Sequence, residues 1–465
     1  MKITKIKQLV IFLSAWSVAA TVVAQGRYTS DWASVDTRPV PQWFTEAKFG
    51  IFIHWGLYSV PAWGPLPADG AKGIYECYSE HYWNRLASNH PLFVAHHRAM
   101  YGESVKYQDF AHDFKCEMFD PDKWAALFRD AGAKYVVLTS KHHDGYALWP
   151  SRYSWNWNAV DIGPHRDLLG DLTAAVKKTG LHMGYYYSLL EWFNPLYRED
   201  IDTYVETHMI PQMKELITRY EPDIFWPDGE WDHPSDKLKS ADFLAWLYNE
   251  SPVKEQIAVN DRWGKETRSR HGGYYTTEYD LVHSDNVKET RIYHPWEECR
   301  GIGHSFGYNR NENLEDYSSS EELLHLLIEK VAMGGNLLLN VGPTADGRIP
   351  VIMQQRLSDM GKWLKINGEA IYSTKPWEVA SKNDALSAFF TTKGEDLYVI
   401  FTKYPTHTVT IKGLSRKPTS VALLGSAAKV SYSHNGKSLT LRPPALTIGQ
   451  APCHHAWVFK IVGCL

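Results

Sequence analysis

Between residues 31 and 365 short apolar runs alternate with longer amphipathic stretches, and that alternation constrains the fold more than any other feature of the chain. Apolar runs at 48–54, 135–139, 182–187, 223–226, 257–260 and 336–341 read as strands. The stretches between them carry helix signals. Asp120 is placed as an N-cap, Pro121 opens the helix, Trp124, Leu127, Phe128 and Ala131 share one face, and Gly132 closes it. Further helices are expected over about 167–178, 207–219 and 321–331. Strands joined by helices must lie parallel, and this many repeats favour an α/β fold of the (β/α)8 barrel type, or a distorted relative of it. An open doubly wound sheet is the alternative, but no Gly-x-Gly-x-x-Gly follows the first strand.

Past about Tyr372 the texture changes to alternating strands at 397–401, 408–411 and 421–424, with the hairpin signal Asn435-Gly436 and no long helix. We expect a barrel over 25–370 and an antiparallel β-sandwich over 371–465, the latter with a structural role.

In a barrel, chemistry collects at the C-terminal ends of the strands. Those ends read His54-Trp55-Gly56, Lys141-His142-His143-Asp144-Gly145, Tyr187-Ser188, Trp226-Pro227-Asp228-Gly229 and Asn260-Asp261-Arg262-Trp263. Asp228 stands where Pro227 and Gly229 are expected to end a strand, between Trp226 and Trp231. A carboxylate there suits attack on, or stabilisation of, a glycosyl cation; capping a tight turn is the competing reading. His54, His142 and His143 lack His-x-His or His-x-x-x-His spacing, and adjacent histidines of an extended chain face opposite ways. Hydrogen bonding to sugar hydroxyls therefore fits them better than a metal, and no cofactor is called for.

Aromatic residues make up 14% of the chain, with 19 Trp and 27 Tyr, which favours a carbohydrate ligand because sugar rings stack on aromatic faces. Net charge is −4 with no basic run, which argues against nucleic acid. Residues 1–24 read as a signal peptide: Lys2, Lys5 and Lys7 precede a nearly apolar run to Val23-Ala24, about 15 residues where a bilayer span needs ~20. Its removal takes away three lysines and no acid and leaves a charge of −7 on an exported chain, periplasmic or secreted, with no membrane span. The five scattered cysteines form no Cys-x-x-Cys pair, so neither a disulfide framework nor a zinc site is expected.

Five motifs in order, Lys48-Phe49-Gly50-Ile51-Phe52-Ile53-His54-Trp55-Gly56, Lys141-His142-His143-Asp144-Gly145, Trp226-Pro227-Asp228-Gly229-Glu230-Trp231, Asn260-Asp261-Arg262-Trp263-Gly264 and Asn336-Leu337-Leu338-Leu339-Asn340-Val341-Gly342-Pro343, resemble the α-L-fucosidases of glycoside hydrolase family 29. The resemblance spans about 30–380 and is nearer to the broad-specificity branch. It implies a retaining exo-hydrolase acting on terminal α-L-fucose of a fucosylated oligosaccharide or glycoconjugate, and is compatible with a homo-oligomer. Asp228 matches the family nucleophile. Glu278, in Thr276-Thr277-Glu278-Tyr279, matches the bacterial acid/base; Glu297 is the second candidate and Glu289 the third. The resemblance further implies sugar contacts from His54, Glu76, His142, His143, Tyr187, Trp226 and Arg262, with Phe306 against the C5 methyl group. A glycosidase for a related sugar such as an α-galactoside, or a weakly catalytic fucose-binding protein on the same scaffold, stays open beside this reading.

Overall fold

A computed structural model describes residues 28–280 and 294–465; the leader segment and Glu289 lie outside the described residues. Eight strands, β1 Phe49–Ile53, β2 Tyr135–Lys141, β3 His182–Ser188, β4 Ile224–Asp228, β5 Ala258–Val259, β6 Tyr275–Glu278, β7 Trp296–Gly301 and β8 Asn336–Val341, form one sheet in the order β5-β4-β3-β2-β1-β8-β7-β6. Every pairing is parallel. The ring closes through a single bridge, Asn260 with Tyr274, where the Tyr274 N–H donates to the Val259 carbonyl at 3.0 Å. Residues 260–274 hold no helix. The fold is thus the expected (β/α)8-like barrel, distorted by a weak seam between β5 and β6.

Alternation along the strands sorts side chains between two cores. Phe52, Tyr135, Val137, Tyr186, Ile224, Trp226, Cys299 and Leu338 pack together inside the ring. Ile51, Ile53, Val136, Leu138, Tyr185, Tyr187, Phe225, Leu337 and Leu339 belong to the outer core, with apolar side chains of the helices such as Phe128, Leu172, Leu216 and Leu327. The helix Pro121–Asp130 has the anticipated cap, the Asp120 carboxylate accepting from the Lys123 N–H at 3.0 Å.

Two local expectations change. Pro227 does not end its strand, because β4 pairs with β3 as far as Ser188 and Asp228. The Pro227 carbonyl faces the β5 side, where Asn260 Nδ2 donates to it at 3.0 Å, and the ladder to β5 ends at Phe225. No backbone donor is therefore missed there. The second change is β7, which runs Trp-Glu-Glu-Cys-Arg-Gly and carries too many charges to read as a buried strand, yet is almost entirely buried.

The turn after β2 is fastened from behind by a buried ion pair, Lys141 Nζ to Glu191 Oε2 at 2.6 Å, both side chains essentially without solvent contact. Tyr204 donates to the same carboxylate at 3.1 Å and His208 Nε2 lies 3.3 Å away. Gly145 approaches the pair closely with φ +75°; a Cβ there would lie 2.7 Å from Glu191 Oε1, so the motif ends in glycine. Removing one partner of such a pair strands a buried charge at a cost of about 3–5 kcal/mol. Glu191→Gln is expected to lower the barrel's unfolding free energy by about that amount, and adding Lys141→Met to restore much of it. Urea unfolding followed by tryptophan fluorescence measures both; an unchanged midpoint for Glu191→Gln contradicts the expectation.

After the helix Val351–Asn367 the chain builds two antiparallel sheets. One contains β9 Lys375–Pro376, β10 Lys382–Asn383, β11 Ala388–Lys393, β12 Asp396–Phe401, β14 Ser420–Leu423 and β17 Trp457–Val462; the other contains β13 Val409–Lys412, β15 Ser431–Asn435 and β16 Ser438–Arg442. Leu397, Val399, Phe459 and Ile461 of the first sheet meet Ile411, Leu439 and Leu441 of the second in one apolar layer. The β15–β16 hairpin forms where the Asn435-Gly436 signal places it, but it turns through Gly436 and Lys437, with Asn435 still in the strand opposite Ser438. The unit is tied to the barrel by Trp363 Nε1 donating to the Ala456 carbonyl at 2.8 Å and Thr391 Oγ1 to the Ala370 carbonyl at 2.7 Å.

Candidate active site

At the C-terminal end of the barrel strands lies a cavity of about 380 Å³. Trp226 and Asp228 point into it from β4, Phe52 from β1, Tyr186 from β3, Glu278 from β6 and Cys299 from β7; His54, His142, His143, Arg262 and Phe306 reach it from the segments that follow strands. Gly229 lets the chain turn away directly after Asp228: its φ is +76°, and a Cβ would collide with Leu190 Cβ at 2.6 Å.

One guanidinium links the two carboxylates. Arg262 Nη1 donates to Asp228 Oδ1 at 2.6 Å, and its Nη2 lies 3.5 Å from Glu278 Oε2. Its own position is set by Nε donating to Thr276 Oγ1 at 3.0 Å and by stacking 4.3 Å from the centre of the Trp226 ring. The carboxylates are otherwise treated differently. Burial alone would raise the pKa of Asp228, but the charges of Arg262 and, further off, Arg268 outweigh it and hold the group well below the usual carboxylate range, with Tyr186 donating to Oδ2 at 2.9 Å. Glu278 accepts from Tyr78 at 2.9 Å besides the long contact with Arg262, and burial together with the Asp228 charge raises its pKa against the pull of Arg262. The arrangement thus sets an ionised carboxylate beside one inclined to keep its proton.

The histidines are neutral acceptors. Burial depresses His54 to about 3 and His143 to about 4, and pushes His142 well below its ordinary value. His54 Nδ1 faces Asn340 Oδ1 at 2.7 Å, and that amide is oriented by Nδ2 donating to the Phe306 carbonyl at 2.6 Å; His54 therefore carries its proton on Nδ1. Ser188 Oγ donates to the Leu190 carbonyl, so it accepts from His143 Nδ1 at 2.5 Å, leaving Nε2 unprotonated 3.7 Å from Asp228 Oδ2. Two unprotonated ring nitrogens are suited to accept from hydroxyl groups of a ligand.

Three expected positions are placed elsewhere. Tyr187 is turned outward, its hydroxyl donating to Gln212 at 2.8 Å, and its neighbour Tyr186 faces the cavity. Glu76 is not in the cavity wall; its carboxylate accepts from the Lys72 N–H at 2.8 Å. Glu80 lines the cavity instead, held by Ser305 Oγ at 3.0 Å and the Gly307 N–H at 2.9 Å, its pKa raised to about 7 by burial. His81 beside it also lines the wall. Glu297 is fully buried beneath the floor, accepting from Tyr135 at 2.5 Å and from Trp226 Nε1 at 2.9 Å, and Trp226 stands between it and the cavity. Among the described residues no group of three or more His, Cys, Asp and Glu side chains is arranged to hold a metal.

The family model described as alpha-L-fucosidase matches residues 15–369, and that described as alpha-L-fucosidase C-terminal domain matches 382–462. The chain is 43% identical over 449 residues to the tissue alpha-L-fucosidase of Bos taurus, covering 94% of this chain and 92% of that one. It is 42% identical over 466 residues to the tissue alpha-L-fucosidase of Homo sapiens, covering 98% and 96%. Its fold is similar to that of the Thermotoga maritima alpha-fucosidase solved in complex with fucose, with a TM-score of 0.79 at 38% identity, covering 94% of this chain and all of that one.

Proposed function

The chain belongs to the α-L-fucosidase family, and on that premise we propose that it hydrolyses terminal α-L-fucose from fucosylated glycans with retention, Asp228 acting as nucleophile and Glu278 as acid/base. The observation that carries this reading is the pair of carboxylates spanned by Arg262 at the cavity, one with its pKa depressed and the other with its pKa raised. Glu278 gives its proton to the departing oxygen as Asp228 attacks the anomeric carbon; the resulting carboxylate then activates water, which displaces Asp228. Once Asp228 is esterified its charge is gone, the pKa of Glu278 falls, and the group becomes fit to act as a base.

His54, His142, His143, Glu80, Tyr186 and Arg262 are the polar contacts we assign to the sugar. Phe52, Trp226 and Phe306 form its apolar wall, with Phe306 stacked on His54 at 4.8 Å. L-Fucose differs from L-galactose only in lacking the C6 hydroxyl, which would meet this wall without a partner. An apolar pocket rejects an added hydroxyl by about 10²-fold. An aryl α-L-fucoside is therefore expected to exceed the matching aryl α-L-galactoside by that factor in kcat/KM, with α-L-fucose as the first product in proton NMR. β-L-Fucose as first product, or equal rates on the two sugars, refutes the mechanism or the specificity respectively.

We place the chain nearer to the broad-specificity branch and infer that 1–24 is removed on export. No helix among the described residues is long and apolar enough to cross a membrane.

A further inference from the structure

We propose that Tyr75, Trp231 and Arg268 form a second sugar position at the mouth of the cavity, holding the residue to which the fucose is attached. This rests on the fucoside reading of the cavity. Tyr75 and Trp231 both line it, yet they remain 42% and 45% exposed, where the other tryptophan of the wall, Trp226, is almost wholly buried. Half-exposed rings contribute little to a core, and Trp, Tyr and Arg are the residue types in which binding energy concentrates.

Neither ring is loose. Tyr75 packs edge-on to Tyr78 with centroids 5.5 Å apart, and Arg85 Nη2 donates to its carbonyl at 2.9 Å. Trp231 packs edge-on to His143 at 5.4 Å. Because the Tyr78 hydroxyl donates to Glu278, Tyr75 lies on the side of the carboxyl assigned to protonate the leaving oxygen, which is where the second sugar must be.

Arg268 supplies an independent observation. Its side chain is nine-tenths buried in the cavity wall, with Nε donating to Glu230 Oε1 at 2.5 Å, while Nη1 is buried and meets no hydrogen-bond acceptor among the described residues. A buried donor of this kind calls for an acceptor, and an oxygen of the bound ligand can provide it. Since Glu230 already neutralises the guanidinium, the site is not built to select an anion. It fits a neutral pyranose with one apolar face for stacking and a hydroxyl or N-acetyl carbonyl oxygen at its edge.

The test compares α-L-fucosyl fluoride, which has no second sugar, with α-L-fucosyl disaccharides ending in galactose or N-acetylglucosamine, for wild type, Tyr75→Ala, Trp231→Ala, Trp231→Phe and Arg268→Lys. Each alanine variant is expected to lose about ten-fold more kcat/KM on the best disaccharide than on the fluoride. Arg268→Lys should show the same bias, Trp231→Phe should recover most of the loss, and inhibition by free fucose should move far less. Equal losses on fluoride and disaccharides would mean that these residues serve the fucose pocket or the fold, and no loss on any disaccharide would mean there is no such site; either overturns the proposal. A wild type inert on the fluoride removes the fucoside reading itself, and this proposal with it.

Discussion

Replacing Asp228 with glycine is expected to lower turnover of an aryl α-L-fucoside by about 10⁴-fold or more, the scale on which loss of a covalent catalyst is felt. Among the described residues the lost carboxylate is the only group in the cavity held at once by Arg262, by Tyr186 and within reach of His143, and the other carboxyls of its lining, Glu80 and Glu278, both have raised pKa values. Glycine also leaves a gap on the face from which Asp228 attacked. Azide entering that gap displaces the leaving group once, with inversion, so activity should return with β-L-fucosyl azide as product. The variant strands Arg262 beside Glu278, and its fold is checked by comparing its unfolding midpoint with that of wild type. A folded Asp228→Gly protein with near-normal turnover would exclude Asp228 as nucleophile.

The legible parts of the site are those that a strand end announces. Asp228, His54, His142, His143 and Arg262 all follow short apolar runs, and a barrel brings such ends to one mouth whatever the loops do. Tyr187 shows the limit of that reading. Tyr185, Tyr186 and Tyr187 are chemically alike, and only the register decides which faces inward: Tyr186 pairs with Trp226 and Ser188 with Asp228, so the inward face of β4 selects 186 and 188 on β3. A strict period of two carried across from Trp226 and Asp228 would have found it.

Glu76 and Glu80 pose a harder problem. Both lie among short 3-10 turns where no period constrains direction, and the choice of Glu80 depends on Ser305 and Gly307, more than 220 residues further on. β6 and β7 were hidden for a different reason. Their charges and hydroxyls look like loop sequence, but Glu297 is satisfied by Tyr135 and Trp226 across the barrel interior, Arg262 holds Thr276, and Thr277 bonds Glu298 between the two strands. Polar pairing replaced apolar burial there, and hydrophobic pattern carries no signal of it.

Glu278→Ala should separate substrates by leaving group. For a poor one, such as a sugar, the departing oxygen needs its proton, and the loss in kcat/KM is expected at about 10³-fold; for a good one, such as fluoride, it should be small, because bond cleavage proceeds without assistance. The second step also loses its base, so with the fluoride kcat falls while the glycosyl-enzyme accumulates and KM drops with it. Azide then attacks the intermediate and yields α-L-fucosyl azide, the anomer opposite to that from Asp228→Gly. The pH profile supplies a further readout. In wild type the active form has Glu278 protonated and Asp228 ionised, so kcat/KM is lost as pH rises through the raised pKa of Glu278 and as it falls through the depressed pKa of Asp228. In the variant the alkaline limb should vanish and the acid limb should remain. Glu297→Gln is the counter-test, since its amide keeps the shape of a group fastened by Tyr135 and Trp226. If the leaving-group dependence, the α-azide and the lost alkaline limb appear with Glu297→Gln and not with Glu278→Ala, the proton comes from beneath the floor, and Trp226 must move aside in the catalytic cycle.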